Sequence, residues 1–233
     1  MSNLAIDAVG LGKSFHLHTQ GDVEIDVFRG LAFQVRFGEC VALHGPSGCG
    51  KSTLLRALYA NYKVGEGNIK VRHRDDWVDM AAAEPRAILA VRRLTMGYVS
   101  QFLRVIPRVA TLDIVAEPLR LRGIDEVAAV REASRMLARL NVPERLWRLA
   151  PATFSGGEQQ RVNIARGFIA DFPILLLDEP TAALDPVNRA IVAEMILEQK
   201  AAGKAIVGIF HDAEVRARVC DRIFEIEPFK VAA

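Results

Sequence analysis

The run Gly45-Pro46-Ser47-Gly48-Cys49-Gly50-Lys51-Ser52 limits what this chain can fold into more than any other stretch. Its spacing, G-x-x-x-x-G-K-S, works only as a loop between a strand and a helix. Glycine reaches backbone conformations that other residues avoid, so the loop can curl until its N–H groups converge on one anion. The neighbours supply both flanking elements. Cys40-Val41-Ala42-Leu43-His44 is a short apolar run ending at Gly45, and residues 51–62 are rich in Leu and Ala, as a helix would be. The positive end of that helix adds to the cradle. Lys51 is placed to meet terminal phosphates as a point charge, Ser52 to offer its hydroxyl to Mg²⁺, and Thr53 stands beside them. Cys49 fills a position the pattern leaves free, which predicts that alkylating it would block the loop. Alone, the pattern still allows kinases, GTPases and chance matches. An upstream Gly10-Leu11-Gly12-Lys13-Ser14 has the G-K-S end without the leading glycine, since Asp7 stands there, and is assigned no role.

The remaining sequence builds an α/β domain around this loop. Its 233 residues, 51% hydrophobic and 25% charged, suit one compact domain with a buried core. Val23, Ile25 and Val27 alternate with acids, and Leu31, Phe33, Val35 and Phe37 alternate with small or polar residues. That period of two predicts antiparallel strands over residues 1–40. A second strand pair is expected over 68–80, after the turn Gly65-Glu66-Gly67, then a helix over 81–94 with Pro85 in its first turn. From 111 to 149 the period is helical, with Asp125 as N-cap and Val127, Val130, Leu137 and Leu140 on one inward face. Ile174-Leu175-Leu176-Leu177 and residues 205–210 are unbroken apolar runs, as buried parallel strands require.

Bulk properties exclude several classes. A net charge of +2 gives no long-range attraction to nucleic acid or to an anionic membrane. The row Arg131, Arg135 and Arg139, with Glu132 beside it, reads as a solvated helix face. Cys40, Cys49 and Cys220 make no C-x-x-C and no zinc spacing, and are expected as free thiols in a reducing compartment. The N-terminus lacks a basic and apolar leader, and no apolar run approaches the ~18 residues of a spanning helix. A cytoplasmic protein without nucleic-acid partners and without direct membrane insertion is therefore expected.

Two more segments carry chemistry. Residues 174–179 are an apolar strand ending in two carboxylates. Asp178, at the mouth of a strand expected next to the one entering the glycine loop, is placed to hold Mg²⁺ directly or through water. Glu179 can polarise a water for attack on the terminal phosphate. Phe154-Ser155-Gly156-Gly157-Glu158-Gln159 then puts a Ser-Gly-Gly turn at the start of a predicted helix. A serine there is most simply an N-cap. It also makes a second anion-binding helix end in a chain whose one nucleotide needs only one.

In this order and spacing, the segments resemble the ATP-binding-cassette family along essentially the whole chain. Residues 45–52 match its Walker A loop, 174–179 its Walker B strand with Glu179 as the catalytic glutamate, and 154–159 its signature, with Phe154 where Leu is usual. Gln101, after Tyr98-Val99-Ser100, resembles the glutamine that senses Mg²⁺ and joins the helical insertion to the core. Ala183-Leu184-Asp185 resembles the D-loop, His211 the switch histidine that bonds the γ-phosphate, and Phe15 the aromatic that stacks on adenine. The resemblance implies an α/β P-loop NTPase fold with an antiparallel β-subdomain. An α-helical subdomain is inserted at about 102–158, and 1–233 form one cassette with no further domain after the helix and strand beyond His211. ATP and Mg²⁺ are the implied cofactors. Gly45, Pro46, Ser47, Gly48, Cys49, Gly50, Lys51, Ser52 and Thr53 would hold the nucleotide, and Ser52, Gln101 and Asp178 the metal. Ser155, Gly156, Gly157, Glu158 and Asp185 would close over the nucleotide of a second cassette subunit, an identical copy or a sister, packed head to tail.

More narrowly, residues 55–62, 101–108, 140–147 and 208–212 resemble a cassette subunit of the bacterial carbon–phosphorus lyase system. That implies an ATPase working with the soluble core enzymes that turn ATP and an alkylphosphonate into a ribose 1-phosphonate 5-triphosphate, docking through 102–119. The competing reading is the ATPase of a membrane exporter of the lipoprotein-release or macrolide-export type, which shares much of the 101–119 pattern. A small-metabolite kinase accounts for neither the Ser-Gly-Gly turn nor His211. His16, His18, His44 and His73 are given no role.

Overall fold

The computed structural model of the chain describes residues 3–17, 23–103 and 107–227. β1 (Leu4–Leu17) pairs antiparallel with β2 (Val23–Arg36) on one edge and with β4 (Glu66–His73) on the other, and β4 pairs with β5 (Asp76–Asp79). The β1–β2 register shifts between Ala8 and Leu11, where Gly10 takes φ +66°. Such bulges turn one stretch of a strand relative to the next. Phe28, Phe33 and Val35 are consequently buried while Ile25 is exposed, so the alternation read from sequence does not hold one face throughout. The Gly12-Lys13-Ser14 tripeptide lies inside β1 and forms no loop. β4 begins at Glu66, inside the stretch expected to turn.

The second sheet is parallel: β6 (Met96–Val99), β7 (Ile174–Asp178), β8 (Ala205–Ile209), β3 (Cys40–His44) and β9 (Arg222–Glu225), in that spatial order. Every residue of β7 and β8 is buried, which is why they read as continuous apolar runs. One expectation is corrected. β7 is not the neighbour of β3, because β8 lies between them and pairs with both. Strand order is set by where crossover helices return the chain, and a late strand can fill the centre of a sheet. The ends of β3, β8 and β7 thus stand side by side and bring the glycine loop, His211 and the Asp178–Glu179 pair to one edge.

Helix α1 (Lys51–Leu58) is shorter than the expected 51–62. Ala60 takes φ +56°, with Ala60 N–H bonded to the Ala57 carbonyl and Asn61 N–H to the Arg56 carbonyl, the pair of contacts that closes a helix end. α2 (Pro85–Leu94) starts on the proline, four residues later than expected, because a proline's missing N–H suits the first helical position. The region 111–149 divides into α3 (Thr111–Arg120), α4 (Glu126–Arg139) and a short 3-10 turn at Glu144–Leu146, since Asn141 is left-handed and Pro143 follows. Asp125 caps α4, accepting from Val127 N–H at 2.9 Å and Ala128 N–H at 3.3 Å. The inward face of α4 is Ala129, Ala133 and Leu137, continued by Leu140, whereas Val127 is 74% exposed. The arginine row is solvated as expected, with Arg131 and Arg135 paired to Glu132 and Arg139 to Glu198. α5 (Gly156–Phe168), α6 (Pro186–Ala201) and α7 (Ala213–Val219) complete the fold. One hydrophobic core joins the antiparallel sheet and α1 to one face of the parallel sheet, and a second packs α3, α4 and α5 against the other. No helix among the described residues is long and apolar enough to cross a membrane.

Candidate active site

All three loop glycines stand where L side chains are strained: φ is +142° at Gly45, +81° at Gly48 and +99° at Gly50. At two of them space forbids a side chain as well. A Cβ on Gly45 would lie 2.4 Å from the Ile226 carbonyl oxygen, and one on Gly50 would lie 2.5 Å from Val27. Pro46, Ser47 and Gly48 are exposed at the crest, and Ser52 and Thr53 open α1 half-buried. Lys51 Nζ is folded back on the loop, donating to the Gly45 and Pro46 carbonyls at 2.8 Å each. A phosphate oxygen is a stronger acceptor for an ammonium than either carbonyl. Cys49 corrects an expectation: it is only 2% exposed and packs in the core beside Gly45, so it is not open to alkylation.

Asp178 is fully buried and both of its oxygens are engaged. Ser52 Oγ donates to Oδ1 at 3.0 Å and the Tyr98 hydroxyl donates to Oδ2 at 3.1 Å. Burial pushes its pKa up, against the two hydrogen bonds that favour the carboxylate. A divalent cation would reverse that direction. The oxygen donors of Ser52, Asp178 and Gln101 are hard ligands of the kind Mg²⁺ takes. Among the described residues no cluster of three or more His, Cys, Asp or Glu forms a closed metal cage. Mg²⁺ fits such an open set, since it is usually held by one or two side chains together with substrate phosphates.

Glu179 follows with φ +53°, a left-handed backbone that costs a non-glycine residue ~1–3 kcal/mol and is kept where surroundings enforce it. Its N–H bonds the Ile209 carbonyl at 3.2 Å, tying it to the end of β8. Gln101 Nε2 donates to Oε2 at 3.0 Å, and His211 Nε2 lies 2.7 Å from Oε1. The site therefore divides into a Lys51–Ser52–Asp178 group and a Gln101–Glu179–His211 group, joined through two successive carboxylates. Phe15 stands apart on β1, edge-on to Tyr62 at 5.4 Å between centroids, with Lys13 Nζ 4.5 Å from its ring centre.

The Ser-Gly-Gly turn is both a cap and an open helix end. Ser155 Oγ accepts from Glu158 N–H at 3.3 Å, and the Glu158 carboxylate accepts from Ser155 N–H at 2.9 Å and from its hydroxyl at 2.8 Å. These bonds hold the Glu158 carboxyl below its usual range. Ser155 and Gly156 are exposed, and Gly157 packs so close to the Ala183 carbonyl that a Cβ would lie 3.0 Å from it. Asp185 caps α6, accepting from Asn188 N–H at 3.0 Å, and is exposed. Sequence reasoning missed Tyr98 and Arg56, and also Asn163, whose Nδ2 bonds the Ser100 carbonyl at 2.5 Å just before Gln101. A tyrosine inside a buried strand was the available signal, because its hydroxyl needs a partner there. His44 and His73 bond Glu225 and Thr95.

The profile of the family described as ABC transporter matches residues 28–182. An uncharacterised ABC transporter ATP-binding protein of Mycobacterium tuberculosis is 34% identical over 92% of this chain and 63% of its own length. The chain thus spans less than two thirds of that relative. The arginine transport ATP-binding protein ArtP of Haemophilus influenzae is 35% identical over 83% of this chain and 79% of its own. The macrolide export ATP-binding/permease protein MacB of Sodalis glossinidius is 33% identical over 100% of this chain, which covers 34% of that protein. Among solved structures, the dimeric post-hydrolysis state of the ATP-binding cassette MJ0796 bound to ADP and Pi matches with a TM-score of 0.86 at 28% identity, over 95% of this chain and 94% of that one.

Proposed function

This chain belongs to the ABC transporter family of ATP-binding cassettes, and we propose that it is the Mg-ATP-hydrolysing half of a two-cassette engine driving a membrane-embedded transport partner from the cytoplasmic side. Its fold is the P-loop cassette fold with an antiparallel sheet and flanking helices. The observation that carries the reading is the convergence on Glu179: Gln101 and His211 bond its two oxygens, one residue from the Ser52–Asp178 pair. A phosphate cradle alone binds a nucleotide. A cradle with a separately held second carboxylate can also orient a water against it.

In this reading residues 45–53 hold the phosphates, with Lys51 giving up its carbonyl partners for them. Ser52, Asp178 and Gln101 hold Mg²⁺, which when bound neutralises charge on the phosphates. Glu179 accepts the proton of the attacking water, His211 contacts the terminal phosphate, and Phe15 stacks on adenine. Ser155, Gly156, Gly157, Glu158 and Asp185 close over the nucleotide of a second cassette, a copy of this chain or a sister. The exposed, capped end of α5 supports this, as does the dimeric form of MJ0796. Residues 1–233 act as one cassette, with the helical insertion at about 102–158 and docking on 102–119, of which 104–106 lie outside the described residues.

The transport descriptions of ArtP and MacB favour a membrane partner. The second reading, an ATPase serving the carbon–phosphorus lyase core enzymes in alkylphosphonate conversion, is favoured by residues 55–62, 101–108, 140–147 and 208–212. Affinity isolation of a tagged Glu179→Gln protein from its native host, with ATP and mild cross-linking, separates the two by mass spectrometry. Membrane-spanning subunits are expected. Recovery of soluble phosphonate enzymes in their place would overturn the transport reading in favour of the second.

A further inference from the structure

Asp178 accepts one hydrogen bond on each oxygen, and only one of the donors belongs to the glycine loop. A serine hydroxyl can turn a lone pair to a cation and keep its proton on the carboxylate, so the Ser52 bond marks the edge of Asp178 that faces the loop. Tyr98 holds the other oxygen, from a strand outside the loop.

The direction of the Tyr98 bond is fixed by its partner: a carboxylate oxygen only accepts, so the single phenolic proton goes to Asp178 Oδ2. Arg56, on α1, donates to the Tyr62 hydroxyl at 2.9 Å and lines the same cavity as Tyr98. The ring is held in place as well, stacked on Tyr59 with centroids 5.1 Å apart and planes at 25°.

We propose that Tyr98 is the positioning residue of the metal site: its hydroxyl holds Asp178 Oδ2 so that Oδ1 faces Ser52 and the cation the two would share. This rests on the assignment of Ser52 and Asp178 to Mg²⁺. Arg56, Tyr62, Tyr98 and Gln101 line one cavity of about 420 Å³. Tyr98 thus reaches from this cavity to the buried carboxylate.

The test measures affinity for a fluorescent, non-hydrolysable ATP analogue in EDTA and again with Mn²⁺ in place of Mg²⁺. The ratio of the two affinities reads the metal alone. Tyr98→Phe removes one oxygen and leaves the stacked ring, and it is expected to lower the ratio about tenfold, as partners behind a metal ligand commonly do. Its affinity in EDTA stays at the wild-type value, and the Mn²⁺ resonance spectrum of the complex changes. Arg56→Met, which keeps the aliphatic stem, lowers the ratio less. Asp178→Asn serves as the reference and is expected to abolish the metal's contribution. If Tyr98→Phe keeps the wild-type ratio while Asp178→Asn loses it, the positioning role is overturned and the metal assignment stands. If both keep it, the metal assignment fails and takes the inference with it. A Tyr98→Phe protein weakened equally in EDTA and Mn²⁺ also overturns the inference, because the hydroxyl would then support the loop and not the metal.

Discussion

His211 Nε2 lies 2.7 Å from Glu179 Oε1 while Gln101 Nε2 donates to Oε2 of the same carboxylate at 3.0 Å. The two donors come from different strand ends, Gln101 just beyond β6 and His211 just beyond β8. Glu179 itself is held out of the β conformation at φ +53°. Each carboxylate oxygen has two lone pairs, so the two bonds fix the orientation of Glu179 and still leave it able to accept a proton from water. In the proposed function the same two residues serve the metal and the terminal phosphate, so Glu179 is oriented by groups that would change partners when the nucleotide binds.

Glu179→Gln keeps the shape of the side chain and removes its ability to accept a proton. Turnover is expected to fall by about 10²–10⁴-fold, the usual worth of a positioned base. ATP affinity stays, and the ATP-bound protein runs as a dimer in gel filtration. Phosphate release measured under single-turnover conditions checks the first point. A glutamine variant that hydrolyses ATP at the native rate would remove Glu179 from the reaction. Lys51→Ala is the counterpart: it is expected to lose ATP affinity, read by calorimetry, because no other part of the loop supplies a point charge.

The raised pKa of Asp178 makes a stability prediction. Its folded pKa lies above the unfolded value of about 3.9, so between the two the native state binds more protons. That contribution is full below the unfolded pKa and is lost as pH rises through the folded pKa. At neutral pH the metal-free protein therefore carries a buried carboxylate at a cost. Asp178→Asn is expected to raise the Tm of the metal-free protein at pH 7, by about 2–4 °C for each kcal/mol relieved in a chain of this size. The advantage over wild type shrinks as the pH is lowered toward 4. With Mg²⁺ and ATP it reverses, since the wild type gains more ligand-linked stability than a variant without the metal's contribution. A Tm at pH 7 below that of the wild type would mean that the bonds from Ser52 and Tyr98 outweigh burial.

The glycine loop was legible in the sequence because its glycines answer a backbone need: each has positive φ, and two also lack room for a Cβ. The carboxylate pair was legible because an apolar run that stops at two acids can only be a buried strand reaching the edge of its sheet. What was not legible depends on the third dimension. Nothing in residues 205–209 tells that this strand inserts between β3 and β7. Nothing in the loop pattern tells which way Cys49 points, because a loop interrupted by positive-φ glycines has no period to read. Val127 was assigned inward on a 3.6-residue count, but the first turn of α4 overhangs the core, which starts at Ala129. Tyr98 was read only as part of the run leading to Gln101, although a buried hydroxyl had to find a partner.

Thiol reactivity checks the corrected placement of Cys49. Cys40 and Cys49 are buried, while Cys220 is half-buried with its sulfur 3.7 Å from that of Cys40. The bond to Cys220 and burial also hold the Cys40 thiol well above its ordinary pKa, so it supplies little thiolate. A maleimide added to the folded protein is expected to label Cys220 first, as identified by peptide mapping, and to leave ATP affinity unchanged. Early labelling at Cys49, or loss of ATP binding with the first adduct, would return that side chain to the open face of the loop.

Gly156 separates what α5 does for its own subunit from what it offers to another. It is the first residue of the helix, its φ is not positive, and a Cβ there would meet nothing within 4 Å. Gly156→Ala should therefore fold as well as the wild type or better, since alanine favours a helix over glycine by up to about 1 kcal/mol. In a shared site the same methyl group would stand against the partner's nucleotide, where glycine leaves the backbone N–H bare. The expected result is an unchanged or raised Tm for the metal-free monomer, together with loss of ATP-dependent dimerisation in the Glu179→Gln background and of turnover in the native one. Ser155→Ala gives a different pattern, because losing the cap costs about 1 kcal/mol of folding stability as well. If Gly156→Ala dimerises and hydrolyses ATP normally, the open end of α5 is only a helix cap.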